Sequence, residues 1–167
     1  GLPKGVSERE PIDFHSPYGC SKGAADQYFR DYRRIYGLPT VVFRQSCIYG
    51  PHQQGNEDQG WVMHFPKSIL DRRKLIIFGN GKQVRDVLHV DDLIRAYVCA
   101  MENIDTAAGE IFNIGGGPAN TISILELIHM LEQTLGTKVD VSYDSWREGD
   151  QKIYVSNISK MKKMLSW

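Results

Sequence analysis

A tyrosine and a lysine stand four residues apart, Tyr18 and Lys22, in "SPYGCSKGAADQYF". On a helix, that spacing puts both side chains on one face. An ammonium beside a phenol favours the phenolate, because opposite charge stabilises the charged form. A phenol ordinarily titrates near about 10. Brought lower, it serves as a general base and takes a proton from a hydroxyl. The small residues Gly19, Ser21 and Gly23 predict room for a flat ligand beside the pair. An ordinary helix, with tyrosine in the core and lysine in solvent, has the same spacing, so the surrounding elements must decide.

Those elements read as follows. A helix is predicted from about Pro17 to Tyr36, with Ala25, Tyr28, Phe29, Tyr32, Ile35 and Tyr36 on its packing face and Gly37 ending it. The stripe Tyr28, Tyr32, Tyr36 reads mostly as packing. "TVVFR", after Pro39, is a buried strand. Residues 50–60 form a polar, glycine-rich loop, and a helix follows from Trp61 to about Arg73, with Pro66 near its first turn or at a bend. "KLIIFGNGKQVRDVLHV" places two apolar runs around Asn80-Gly81 and predicts a hairpin. Asp91 and Asp92 open the next helix, where acidic groups favour the positive end of the dipole. "EIFNIGGG" is a strand entering a glycine loop. Ser123 and Glu126 form a capping box before "ILELIHMLEQTL", which Gly136 closes. "KVDVSYD" alternates as an edge strand, and "NISKMKKMLSW" is a short helix.

Alternating helix and strand predict an α/β fold. The pattern starts on a helix and contains no GxGxxG or GxxGxxG, the turn that receives a dinucleotide pyrophosphate. Gly115 to Gly117 lack that spacing and the later acidic residue. The expectation is the latter part of a larger protein.

Composition excludes several classes. Twenty basic and twenty acidic residues give a formal net charge of zero, so nothing favours nucleic acid or an anionic membrane as partner. A hydrophobic content of 41% fits a globular chain, and no apolar run approaches the roughly 20 residues that span a bilayer. "GLPKGVSERE" lacks the layout of a signal peptide. Cys20, Cys47 and Cys99 are odd in number and form no CxxC, which predicts reduced thiols in a cytoplasmic setting. Cys99 falls on an apolar helix face, while Cys47, at a strand end, reads either as structural or as ligand-facing. His15, His52, His64, His89 and His129 show no metal-ligand spacing, so no metal site is expected.

The stretch "SPYGCSKGAADQYFRDYRRIYGLPTVVFRQSCIYGP" resembles the short-chain dehydrogenase/reductase superfamily, in its extended branch of NAD-dependent nucleotide-sugar epimerases and dehydratases. "FGNGKQVRDVLHVDDLIRA", "EIFNIGGG" and "REGDQKIYVSNISKMKKMLSW" continue the resemblance in order along nearly the whole chain. Within that branch, "DQGWV" with "GNGKQVRDVLH" is most similar to the enzymes that epimerise carbon 2 of CDP-linked sugars.

The resemblance implies a partial Rossmann-like sheet plus a smaller C-terminal α/β substrate-binding domain. Residues 1–50 would be a remnant of the NAD-binding domain, and 51–167 mainly substrate-binding, with a strand near 110–114 returning to the Rossmann sheet. It implies Tyr18 as general base and acid, and Lys22 as the group that holds the nicotinamide ribose and lowers the tyrosine pKa. Gln45, Ser46 and Cys47 would line the nicotinamide pocket. Arg85 and Arg147 would clamp the substrate diphosphate, a task suited to guanidinium forks; a plain surface pair of Arg85 with Asp86 is the alternative. Relatives often carry Asn at the Cys47 position, contacting substrate. The implied partners are a nucleotide-diphosphate sugar and a second copy of the parent protein, as a homodimer or tetramer, through a four-helix bundle that includes the first helix. The family's catalytic Ser or Thr lies further upstream of Tyr18 than this chain reaches, so the chain alone is expected not to turn over. A 4-epimerase, a 4,6-dehydratase, or a non-catalytic nucleotide-diphosphate-binding fragment are the rival readings.

Overall fold

The computed structural model describes residues 4–57 and 59–167. Asp58, the first residue of "DQGWV", lies outside the described residues. The first helix, α1 (Pro17–Tyr36), starts because Ser16 is extended and its hydroxyl accepts the Gly19 N–H at 3.0 Å. Pro17 occupies the first turn, where no N–H is needed. Gly37, at φ +71°, ends the helix and returns its N–H to the Arg33 carbonyl. There follow β1 (Val42–Gln45), β2 (Cys47–Tyr49), α2 (Trp61–Leu70), β3 (Leu75–Phe78), β4 (Val84–His89), α3 (Val90–Glu102), α4 (Ile104–Ala107) and β5 (Ile111–Ile114). The chain finishes with β6 (Thr121–Ser123), α5 (Ile124–Leu135), β7 (Val141–Asp144), β8 (Ile153–Tyr154) and α6 (Ser159–Leu165).

The fold is mixed α/β with parallel pairing dominant. β1 runs parallel to β5, Val42 opposite Ile111 and Gln45 opposite Ile114. β4 is a hub: it pairs parallel with β2 and β8 and antiparallel with β6. β7 is an edge strand, paired parallel with β3. At Ser46 the chain leaves β5 as partner and takes β4, so the run from Val42 to Tyr49 is two strands where the sequence suggested one.

The hairpin expected at Asn80-Gly81 does not form, since β3 and β4 belong to different sheets. Gly79 and Gly81 both adopt positive φ, and Trp146 packs against Gly79. The Gln83 amide donates to the Phe78 carbonyl at 2.9 Å, occupying an acceptor that a hairpin partner would use. α2 stops at Leu70, earlier than expected, and Arg72 at φ +54° lies outside helical geometry.

Two apolar clusters fill the interior. One gathers Leu88, Ala96, Phe112, Ile114, Met161 and Leu165 from β4, α3, β5 and α6. The other gathers Phe65, Leu75, Ile77, Leu127 and Ile128 from α2, β3 and α5. The expected packing face of α1 belongs to neither. Tyr28, Phe29, Tyr32, Ile35 and Tyr36 are between 48% and 68% exposed, whereas the buried residues of the helix are Gly23 and Asp26. Asp26 is held by the Arg44 guanidinium at 2.7 Å, which fastens α1 to β1 by a polar contact.

Candidate active site

Tyr18 and Lys22 lie in the first turns of α1. The Lys22 ammonium sits over the Tyr18 ring, 5.4 Å from its centroid. Tyr18 is 61% exposed, and its hydroxyl has no hydrogen-bond partner among the described residues. Both groups are therefore free to meet a ligand. The small residues beside them do not form the expected slot. A Cβ on Gly23 would stand 1.8 Å from the Phe14 ring, and Gly19 also faces Phe14. The glycines let Phe14 pack against α1, which fixes the segment leading to Tyr18.

Gln45, Ser46 and Cys47 lie where the chain steps from β1 to β2, at the carboxyl end of the parallel pair. Open α/β sheets take ligands at that end of their strands. The Gln45 amide donates to the Tyr97 hydroxyl of α3. The Ser46 N–H donates to the Ile114 carbonyl at 2.8 Å, and its hydroxyl donates to Asp86. Cys47 is half-buried beside Trp61 and Arg85. Burial pushes its thiol pKa up; a hydrogen bond from Trp61 and the charge of Arg85 pull the other way, less strongly. Asp86 is fully buried, which removes the alternative of a plain surface pair with Arg85.

Arg85 and Arg147 line one cavity of about 230 Å³, together with Trp61, His64, Phe78 and Asp150. Arg85 donates to the carbonyls of Val84, at 2.8 Å, and Gln151, at 2.5 Å. Burial draws its pKa below the usual arginine value, opposed by its interactions with Cys47, Asp150 and Asp86. Arg147 stacks on Phe78, its guanidinium carbon 4.6 Å from the ring centroid. It also donates to Asp150, at 3.3 Å, and to the Glu57 carbonyl, at 3.1 Å. Guanidinium forks suit paired phosphate oxygens, and this cavity holds two guanidinium groups, that of Arg147 stacked on Phe78. Cys47 joins this group through Trp61 and Arg85. The sequence reading placed Trp61 at a helix start and in "DQGWV" but gave it no place in the site.

The loop bearing Arg147 also meets the segment that enters α1. A Cβ on Gly149 would lie 3.2 Å from the His15 carbonyl oxygen. The loop that follows Arg147 thus lies close to the segment that enters α1. The three consecutive glycines offer no cradle. Gly115 presses on Asp86, and a Cβ on Gly116 would lie 2.2 Å from the Val87 carbonyl oxygen.

Residues 3–115 match the NAD dependent epimerase/dehydratase family. The chain is 46% identical over 170 residues to the CDP-paratose 2-epimerase of Salmonella typhi, covering 99% of this chain and 50% of that protein. It is 33% identical over 171 residues to the dTDP-glucose 4,6-dehydratase of Escherichia coli, covering 91% of this chain and 43% of that one. Among solved structures, the UDP-glucuronic acid 4-epimerase of Bacillus cereus, in complex with UDP-glucuronic acid and NAD, is similar with a TM-score of 0.89. It is 32% identical, over 98% of this chain and 50% of that chain. The chain spans about half the length of the curated relatives it matches. With the family model matching most of the chain and likeness continuing to its last helix, the chain belongs to the NAD-dependent epimerase/dehydratase family.

Proposed function

We propose that this chain carries the proton-transfer pair and the diphosphate receptor of an NAD-dependent nucleotide-sugar epimerase of the CDP-paratose 2-epimerase type. The observation that carries the reading is the convergence of Arg85 and Arg147 on one pocket whose loop abuts the entry to the Tyr18 helix. The 46% identity to a CDP-paratose 2-epimerase supports carbon 2 as the reacting position.

The residues present fit one end of the cofactor. The Lys22 ammonium has donors for ribose hydroxyls, and Gln45, Ser46 and Cys47 lie at the carboxyl end of the parallel pair. Among the described residues nothing cradles a pyrophosphate. NAD, when bound, supplies the acceptor and donor of hydride.

Tyr18 takes the proton of the sugar hydroxyl while hydride leaves the carbon, giving a keto-sugar. The Lys22 ammonium over the Tyr18 ring supplies a positive charge beside the base. The arginines grip the diphosphate and leave the sugar ring loose, so the ring can turn between the two transfers while the nucleotide stays bound. Tyr18 then returns the proton to the oxygen as hydride returns to the opposite face.

The exposed aromatic face of α1 supports self-association of the full-length protein, as a homodimer or a tetramer. Three free thiols fit a reducing, cytoplasmic compartment. Similarity to a 4,6-dehydratase and to a 4-epimerase supports a second reading, in which the same pair acts at carbon 4.

The deciding experiment incubates the full-length, NAD-loaded protein with CDP-, UDP- and GDP-sugars and follows products by chromatography. Epimerisation of a CDP-sugar at carbon 2 is expected. A folded, loaded protein that converts none of them would show the reading to be wrong, and products altered at carbon 4 would select the second.

A further inference from the structure

The most deeply buried charge near the site is one that the chemistry above does not use. Asp86 has no exposed surface. It follows Arg85 on β4, and strand alternation sends the two side chains to opposite faces, Arg85 to the pocket and Asp86 inward. Its Oδ1 accepts from the Ser46 hydroxyl, which also lies 3.0 Å from the Asp86 main-chain carbonyl oxygen. Its Oδ2 accepts from the Ser156 hydroxyl and from the Gly117 N–H, the latter at 3.0 Å. Gly115 closes the cage, because a Cβ there would lie 2.3 Å from Oδ2.

Burying a carboxylate is costly unless donors replace its water. Three donors do so here, and they come from segments that border the site. Ser46 stands between Gln45 and Cys47, at the step from β1 to β2. Gly117 ends the glycine loop after β5, the partner of β1. Ser156 follows β8, whose Tyr154 lies opposite Arg85.

We propose that Asp86 is a positioning residue for the nicotinamide side of the site. Its carboxylate fixes the Ser46–Cys47 corner against the end of β5 through the Ser46 hydroxyl and the Gly117 N–H. This rests on the reading of Gln45, Ser46 and Cys47 as nicotinamide-side residues. A simple clamp on the fold would act equally through all its donors; a positioning role acts through Ser46. The charge of Asp86 also reaches Cys47, where it adds to the upward push of burial against the pull of Trp61 and Arg85.

The test uses the full-length protein with three variants, Asp86→Asn, Ser46→Ala and Ser156→Ala. The last removes a donor from the other carboxylate oxygen. Calorimetry gives dissociation constants for NAD and for CDP, and iodoacetamide labelling of the Cys47 peptide is followed across pH. Asp86→Asn and Ser46→Ala should weaken NAD at least about tenfold, near the lower end of the loss for one hydrogen bond to a charged group, and leave CDP within about twofold. Ser156→Ala should change neither by more than about twofold. Asp86→Asn should also move the Cys47 labelling midpoint to lower pH, since it removes a negative charge; Ser46→Ala keeps that charge and should not. Equal effects of all three variants on NAD, a parallel loss of NAD and CDP, or an unmoved midpoint in Asp86→Asn would overturn the proposal. If Asp86→Asn does not fold, the contrast between Ser46→Ala and Ser156→Ala decides. If the wild-type protein binds no NAD, the functional reading fails by itself, while the Cys47 profile still decides whether Asp86 acts on the corner.

Discussion

Tyr18→Phe keeps the ring beneath the Lys22 ammonium and deletes only the hydroxyl. In the full-length protein it should abolish turnover and leave the CDP dissociation constant unchanged by calorimetry; retained turnover would remove Tyr18 as the base. Arg85→Ala acts on the other half of the site. It should weaken nucleotide-sugar binding by about 1.5–3 kcal/mol, the range for hydrogen bonds to a charged group. Binding equal to wild type would place Arg85 outside the receptor. At this scale the sequence named the phenol, the amine and the two guanidinium groups, and the structure sets Lys22 over the Tyr18 ring and both arginines on one cavity. The sequence was silent on Phe14, which fills the space that Gly19 and Gly23 leave, and on the burial of Asp86. Both depend on which distant segment packs against the residue, and neighbours in sequence carry no record of that.

Elements defined by their own ends were legible. α1 begins at Ser16 and ends at Gly37, and α5 has the full capping box: the Ser123 hydroxyl accepts the Glu126 N–H at 3.2 Å, and the Glu126 carboxylate accepts the Ser123 N–H at 2.7 Å. Ser123→Ala should lower stability by about 1 kcal/mol in urea unfolding. The Ser123 hydroxyl and N–H hold the Glu126 carboxyl below the usual carboxylate range. A folded-state pKa lower than the unfolded one stabilises above the unfolded value, and that stability is lost as pH falls through the folded pKa. Glu126→Gln should therefore flatten part of the decline in stability between neutral pH and about pH 3, by a small amount because the group is solvent-exposed. An acid limb identical to wild type would show that the carboxylate contributes nothing. Elements defined by a partner were not legible. Asn80-Gly81 reads as a hairpin turn, yet β3 pairs with β7 and β4 with β2, β6 and β8. A turn motif states that the chain reverses; it does not state which strand waits on either side.

For the whole molecule, the exposed face of α1 is the feature with the largest consequence. A stripe of Tyr28, Tyr32, Ile35 and Tyr36 in water is costly surface to leave uncovered, and helix-to-helix contact between copies would bury it. Ile35→Glu in the full-length protein should shift the oligomer toward monomer in light scattering after size exclusion. An unchanged mass would show that α1 is not the contact.

The sequence alone determined the capped ends of α1 and α5, the α/β alternation and which acid-base and cationic side chains are present. Each of these follows from short-range sterics, hydrogen bonding within a few residues, or the intrinsic acidity of a side chain. Tertiary structure alone decided that Arg85 and Arg147 share a cavity, that Gly149 presses that cavity's loop on His15, and that Asp86 is caged by Ser46, Ser156 and Gly117. Those are contacts between segments far apart in the chain. They are fixed by the pairing of strands and the filling of space, to which no local pattern of residues gives a unique answer.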